Sequence, residues 1–166
     1  MKIYRTSDEL AYMRGILHII KPKISAEIGV YEGGSAKIIK EETKELHLFD
    51  TFQGILEEQS EENYPAGYYR ATLEEAKRNI GEAIYHIGDI CKTKNEVKDK
   101  LFNFIHIDLD VYIPLKDCLP FFFERLNGVM LVSNYDDKHL GIKRAIYEFK
   151  RPFKQYSRFV MYENYN

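Results

Sequence analysis

Two aspartates one residue apart, Asp108 and Asp110, close an apolar run from Phe104 to Leu109. Alternate side chains of an extended chain point the same way, so both carboxylates share a face. Like charges placed together require a cation: they could hold a divalent metal, or one could serve as general base toward an acceptor hydroxyl. Capping of the next turn by Asp110 is the structural alternative. Ser133, Asn134, Tyr135, Asp136, Asp137 and His139 follow a second apolar run. They offer His139 as a reserve base, or a solvent-facing loop. His106, inside an apolar strand, reads as a satisfied core histidine.

Upstream, Glu27-Ile28-Gly29-Val30-Tyr31-Glu32-Gly33-Gly34-Ser35 places three glycines in one turn, where a ligand can approach the backbone. The spacing is Gly-x-x-x-Gly-Gly, not the dinucleotide fingerprint, and Glu32 would repel a pyrophosphate. A cationic nucleoside without phosphates, such as S-adenosylmethionine, suits Glu27 and Glu32 better. Asp50 lies 21 positions after Gly29 (50 minus 29), near the offset of roughly 20 at which an acid grips ribose hydroxyls. Its alternative is capping the loop at Thr51 to Gln53. Asp89, ending Gly88-Asp89, falls near the adenine in the same geometry, or makes an ordinary turn.

These residues need strand ends to hold them. Strands are predicted over 25–30, 45–50, 83–89, 104–109, 129–133 and 159–165 from apolar runs and alternation. Between them fall helices: one capped by Ser7 and stopped at Pro22, one over 34–43, and one opened by the Thr72/Glu75 capping box and ended by Gly81. A short helix is expected over 95–101, one begins at Pro114 and is kinked at Pro120, and a last one carries Ile142, Ile146 and Phe149 on one face. Asn127-Gly128 reads as a turn. The alternation predicts an α/β, doubly wound, mostly parallel six-stranded Rossmann-like sheet with helices on both faces, shortened at its C-terminal edge. Ligands of such sheets bind beyond the carboxyl strand ends at the topological switch point. Residues 51–70, rich in Glu, Gln, Gly, Pro and Tyr, are too long for an ordinary connection and read as a lid or substrate loop.

At 166 residues the chain is expected to be one domain, 1–166,. Its 24 basic and 26 acidic residues give a net charge of −2, without the basic excess that nucleic-acid binding calls for. No apolar run is long enough for a membrane span, and no secretory signal is evident, so a cytoplasmic address is expected. Cys91 and Cys118 are too few for a disulfide framework. The 13 Tyr and 10 Phe fill the core, with some available to line a pocket.

The ordered set Glu27 to Ser35, Leu48-Phe49-Asp50-Thr51-Phe52-Gln53-Gly54, Gly67-Tyr68-Tyr69 with Thr72-Leu73-Glu74-Glu75, and His106-Ile107-Asp108-Leu109-Asp110-Val111-Tyr112 resembles the macrocin O-methyltransferase family. The likeness continues through Asn127-Gly128-Val129 and Gly141-Ile142-Lys143-Arg144-Ala145-Ile146. It implies a class I, S-adenosylmethionine-dependent O-methyltransferase acting on a hydroxyl of a sugar or glycan, often with magnesium or manganese. By matching position, Glu27, Gly29, Glu32 and Ser35 would lie along the methionine part of the cofactor, Asp50 at the ribose, and Asp89 with Ile90 at the adenine. Tyr31, Gly33, Thr51 and Phe52 complete that set. Asp108 would be a metal ligand as well as a cofactor neighbour, with Asp110 near the acceptor.

The chain departs from the family where two consecutive aspartates are usual: it has Ser133 and Asn134. Asn134 can still offer a carbonyl oxygen, but serine is a poor neutral ligand, so affinity for the metal should fall. One strand is evident after the last helix where the class commonly has two. The rival readings are a cofactor-binding module without catalysis and, less compatible with the glycine spacing, a nucleotide-dependent oxidoreductase. The small-molecule or glycan acceptor is the expected partner; a homo-oligomer or a larger enzyme would fit too.

Overall fold

The computed structural model describes residues 4–61 and 63–165. Seven strands form one sheet in the order β3-β2-β1-β4-β5-β7-β6. Their bounds are β1 (Ile24–Ile28), β2 (Glu45–Asp50), β3 (Ile84–Ile87), β4 (Phe102–Ile107), β5 (Leu126–Val132), β6 (Lys154–Tyr156) and β7 (Phe159–Asn164). The first five pair in parallel, whereas β7 lies antiparallel between β5 and β6. The main helices are α1 (Ser7–Ile20), α2 (Gly34–Glu42), α3 (Leu73–Ile80), α4 (Ile90–Thr93), α5 (Tyr112–Glu124) and α6 (Leu140–Phe149).

This is the expected doubly wound α/β fold with two corrections. The sheet has seven strands rather than six, and its C-terminal edge is not shortened. β6 was illegible because Lys154, Gln155 and Tyr156 are all exposed, leaving no apolar alternation to read.

Alternation distributes the core between two faces. Ala26, Ile28, Phe49, Ile105, Ile107, Met130 and Val132 pack with Leu115, Leu119 and Phe122 of α5 and Ile142 and Ile146 of α6. Leu46, Leu48, Phe104, Val129 and Leu131 pack with Met13 and Leu17 of α1, Ile39 of α2 and Ala76 of α3. Burial of apolar surface on both faces explains the near-continuous apolar strands.

Local chemistry sets the helix ends. Thr6, not Ser7, caps α1, because Glu9 at the third helical position completes a reciprocal capping box with it,. The Thr72/Glu75 box opens α3 and Gly81 ends it as expected. The expected helix over 95–101 instead begins at Ile90, because the Asp89 carboxylate accepts from the Cys91 amide; it continues as a 3-10 turn over Lys94–Val97. Asn127-Gly128 is inside β5 rather than before it. There the register against β4 shifts by one residue, and a Cβ on Gly128 would lie 2.0 Å from the Asn103 carbonyl oxygen. The glycine marks a bulge, not a turn. Among the described residues, no helix is long and apolar enough to cross a membrane.

Candidate functional site

The strand order reverses between β1 and β4, and there the chain ends of both strands approach closely. Gly29 adopts φ +84°, and a Cβ on it would lie 2.2 Å from the Asp108 carbonyl oxygen. No other residue satisfies both demands, so this glycine is fixed by the β4 backbone as well as by the turn. A cavity of about 370 Å³ opens above the junction, within the range of roughly 300–1,000 Å³ typical of small-molecule sites.

One end of the cavity is formed by Gly29, Val30, Tyr31, Gly34, Ser35, Phe49, Asp50, Thr51, Gly88 and Ile90. No lysine or arginine is among them. Asp50 Oδ2 accepts from the amides of Val30 at 2.7 Å and Tyr31 at 2.9 Å, and Oδ1 from the Phe52 amide at 2.8 Å. Its carboxylate therefore ties the β1 turn to the β2 turn, and Oδ1 keeps acceptor capacity. Burial pushes the Asp50 pKa up, against these backbone bonds. The capping of Phe52 and the expected place at the rim are both present.

Several expected cofactor contacts do not reach this cavity. Glu27 is fully buried: its Oε1 lies 2.7 Å from His106 Nδ1, and His106 Nε2 lies 2.8 Å from Ser133 Oγ. Burial raises the Glu27 pKa, with His106 opposing. His106 is thus a satisfied core histidine, as its apolar surroundings required. Gly33 makes room for Ile80 of α3, whose side chain would stand 2.5 Å from a Cβ there. Phe52 belongs to the core beside α1, α2 and α3. Asp89 Oδ1 accepts from the Cys91 amide at 3.0 Å and from Gln59 Nε2 at 2.8 Å. Glu27, Glu32, Gly33, Phe52 and Asp89 are all absent from the cavity wall.

The opposite end gathers Asp108, Asp110, Asn134 and His139. Asn134 Nδ2 donates to Asp108 Oδ1 at 3.1 Å and Asp110 Oδ1 at 3.0 Å, bridging the two acids. His139 Nε2 stands 3.5 Å from Asp110 Oδ1, and its Nδ1 lies 2.7 Å from Asp136 Oδ1. Burial opposes the charged imidazole, but the hydrogen bonds to Asp110 and Asp136 outweigh it and raise the His139 pKa. Burial likewise raises that of Asp110, with His139 opposing.

Arg5 is the site residue that sequence reasoning missed. Its Nη1 donates to Asn134 Oδ1 at 3.0 Å and its Nη2 pairs with Asp108 Oδ1. No local motif announces a contact spanning 103 positions. The expected metal pair, Asp108 and Asn134, is thereby corrected: a guanidinium occupies Asp108 Oδ1 and Asn134 Oδ1, and the Asn134 amide presents N–H groups to both aspartates. Among the described residues, no group of three or more His, Cys, Asp or Glu is placed to hold a metal ion. The donor set does not fit magnesium or manganese.

Residues within 51–61 and 63–70 line the cavity, Tyr64, Tyr68 and Tyr69 among them. Ile55 and Tyr68 pair through Ile55 N–H to Tyr68 O at 3.0 Å, and Gly67 N–H reaches Ile55 O at 2.8 Å. Glu61 Oε1 accepts the Tyr112 amide at the start of α5, tying the segment to the helix after β4. Tyr64 stacks on His139 with centroids 5.3 Å apart, while Tyr69 meets Tyr4 and Tyr31 at 5.6 and 6.1 Å. Tyr31, Phe52, Tyr69 and Asn134 all have positive φ. Left-handed backbone at four non-glycine residues in one region is strain of the kind that collects at functional sites.

No family model matches the chain, and no curated protein does. Solved structures with the same fold are found at low identity. CalS11, a calicheamicin methyltransferase, superposes with a TM-score of 0.77 at 15% identity, over 94% of this chain and 78% of its own. The O-methyltransferase NovP gives 0.76 at 17%, over 95% and 79%. An O-methyltransferase from Bacillus cereus in complex with SAH gives 0.68 at 16%, over 95% and 80%. At these identities the likeness establishes the Rossmann-like methyltransferase fold.

Proposed function

We propose that the chain is an S-adenosylmethionine-dependent O-methyltransferase acting on a hydroxyl of a sugar or glycan. The observation that carries this reading is one cavity in which an apolar stretch, above Gly29 and Asp50, meets a half-buried carboxylate-imidazole pair, Asp110 and His139. The methyltransferases of the same fold support it, CalS11 and NovP among them. The residues fit the cofactor: Phe49 and Ile90 offer apolar walls, and Asp50 Oδ1, which accepts from the Phe52 amide, keeps capacity for a ribose hydroxyl,.

S-adenosylmethionine, when bound, supplies an electrophilic methyl on a sulfonium. The chain must hold the acceptor oxygen in line with it and exclude water; the Tyr64, Tyr68 and Tyr69 wall of the 51–70 segment suits that task. As the C–S bond breaks and the C–O bond forms, the acceptor proton passes to the Asp110 carboxylate. Asp110 is the better base of the pair, because burial makes its carboxylate more basic whereas its neighbours keep His139 more readily protonated. His139 orients Asp110 and Asp136 orients His139.

Asp110→Asn is expected to lower kcat by about 10²–10⁴-fold while the Kd for S-adenosylhomocysteine, by calorimetry, changes less than about threefold. Unchanged turnover would reject the base. Wild-type protein that binds the cofactor yet methylates no sugar or glycan would instead favour a binding module without catalysis.

A further inference from the structure

We propose that Arg5 is the resident cation of this site, standing where a divalent ion would sit between Asp108 and Asn134, so that the wild-type chain binds no such ion and loss of the arginine opens a site for one. The inference concerns the same cavity but does not rest on methyl transfer.

Arg5 has a side chain only 5% exposed, against 23% for Asp108. A buried charge must be paired, and here it is paired with Asp108, whose neighbour Asp110 is faced instead by His139. Arginine has donors only. Its Nη1 therefore requires the oxygen of the Asn134 amide, and that choice turns the amide nitrogen toward Asp108 and Asp110. The residue that could have offered a carbonyl to a metal is rotated into a donor by the arginine itself.

The helix that follows Arg5 is anchored from outside. Thr6 and Glu9 form the capping box immediately after it. Glu9 is buried and accepts from Arg158 Nε at 3.0 Å and Nη2 at 2.8 Å, and from Ser157 Oγ at 3.1 Å, within the β6–β7 turn. The Phe159 ring lies 5.9 Å from the Arg5 guanidinium carbon. An ion entering beside Asp108 would have to expel a side chain paired through both Nη1 and Nη2.

The test is manganese binding, read by calorimetry and by the Mn2+ spin-resonance signal, with no acceptor present. Wild type and Arg5→Lys are expected to show no binding at millimolar ion. Arg5→Ala is expected to bind at least about tenfold more tightly than wild type, with a melting temperature that rises with ion concentration and no longer does in Arg5→Ala/Asp108→Asn. Wild-type binding that Asp108→Asn abolishes would overturn the proposal, and so would a folded Arg5→Ala that binds no ion. Should Arg5→Ala fail to fold, the wild-type titration and its Asp108→Asn control decide alone. Failure of methyl transfer would leave each of these readouts in force.

Discussion

Asp50 joins two turns with one carboxylate, and its value lies in having only acceptors. Asp50→Asn would set an N–H donor against at least one of the amides of Val30, Tyr31 and Phe52. A buried donor left without an acceptor costs about 1–3 kcal/mol, so the denaturation midpoint should drop accordingly and cofactor affinity with it. Gly29→Ala faces both the positive φ and the Asp108 carbonyl; strain of about 1–3 kcal/mol from φ alone plus the clash should leave little folded protein, measurable by circular dichroism. At this scale the sequence was informative where chemistry is local. The Asp108/Asp110 pair at the cavity and the satisfied His106 were legible. What residue type could not show is that Glu27 faces His106 and that Asp89 Oδ1 accepts from the Cys91 amide.

Elements bring together what no single residue can. The 51–70 segment depends on Glu61 capping α5 through the Tyr112 amide. Glu61→Ala is expected to raise the rate of proteolytic cleavage within 57–70 several-fold while changing global stability by about 1 kcal/mol; an unchanged digestion pattern would mean that the tyrosine wall alone holds the segment. The segment's unusual length was legible in the sequence, but its docking points were not, since they lie 30 and 51 positions distant at Asp89 and Tyr112. Strands β1, β2, β4 and β5 were readable because both their faces are buried, and the edge strand β3 from its apolar alternation although Ile84 and Ile87 are exposed. β6 was not, because its stability comes from pairing with β7 rather than from any apolar side of its own.

Across the whole molecule, the pair Glu9 and Arg158 links α1 to the terminal hairpin. Burial opposes the Glu9 charge, but hydrogen bonds from Arg158 and the Thr6 amide prevail and hold its pKa at about 2, below its ordinary 4.5. A depressed folded pKa adds stability above the unfolded value and loses it on acidification. Stability should therefore fall between about pH 4.5 and pH 2, and Glu9→Gln should flatten that acid limb in denaturant titrations while lowering stability at neutral pH. The Glu9 pairing also carries the order in which the molecule can be completed. Its partner sits 149 positions away, so a growing chain can form α1 early but cannot clamp it until the β6–β7 hairpin has been made. Only then does the Glu9 carboxylate exchange solvent for the Arg158 guanidinium that fixes it.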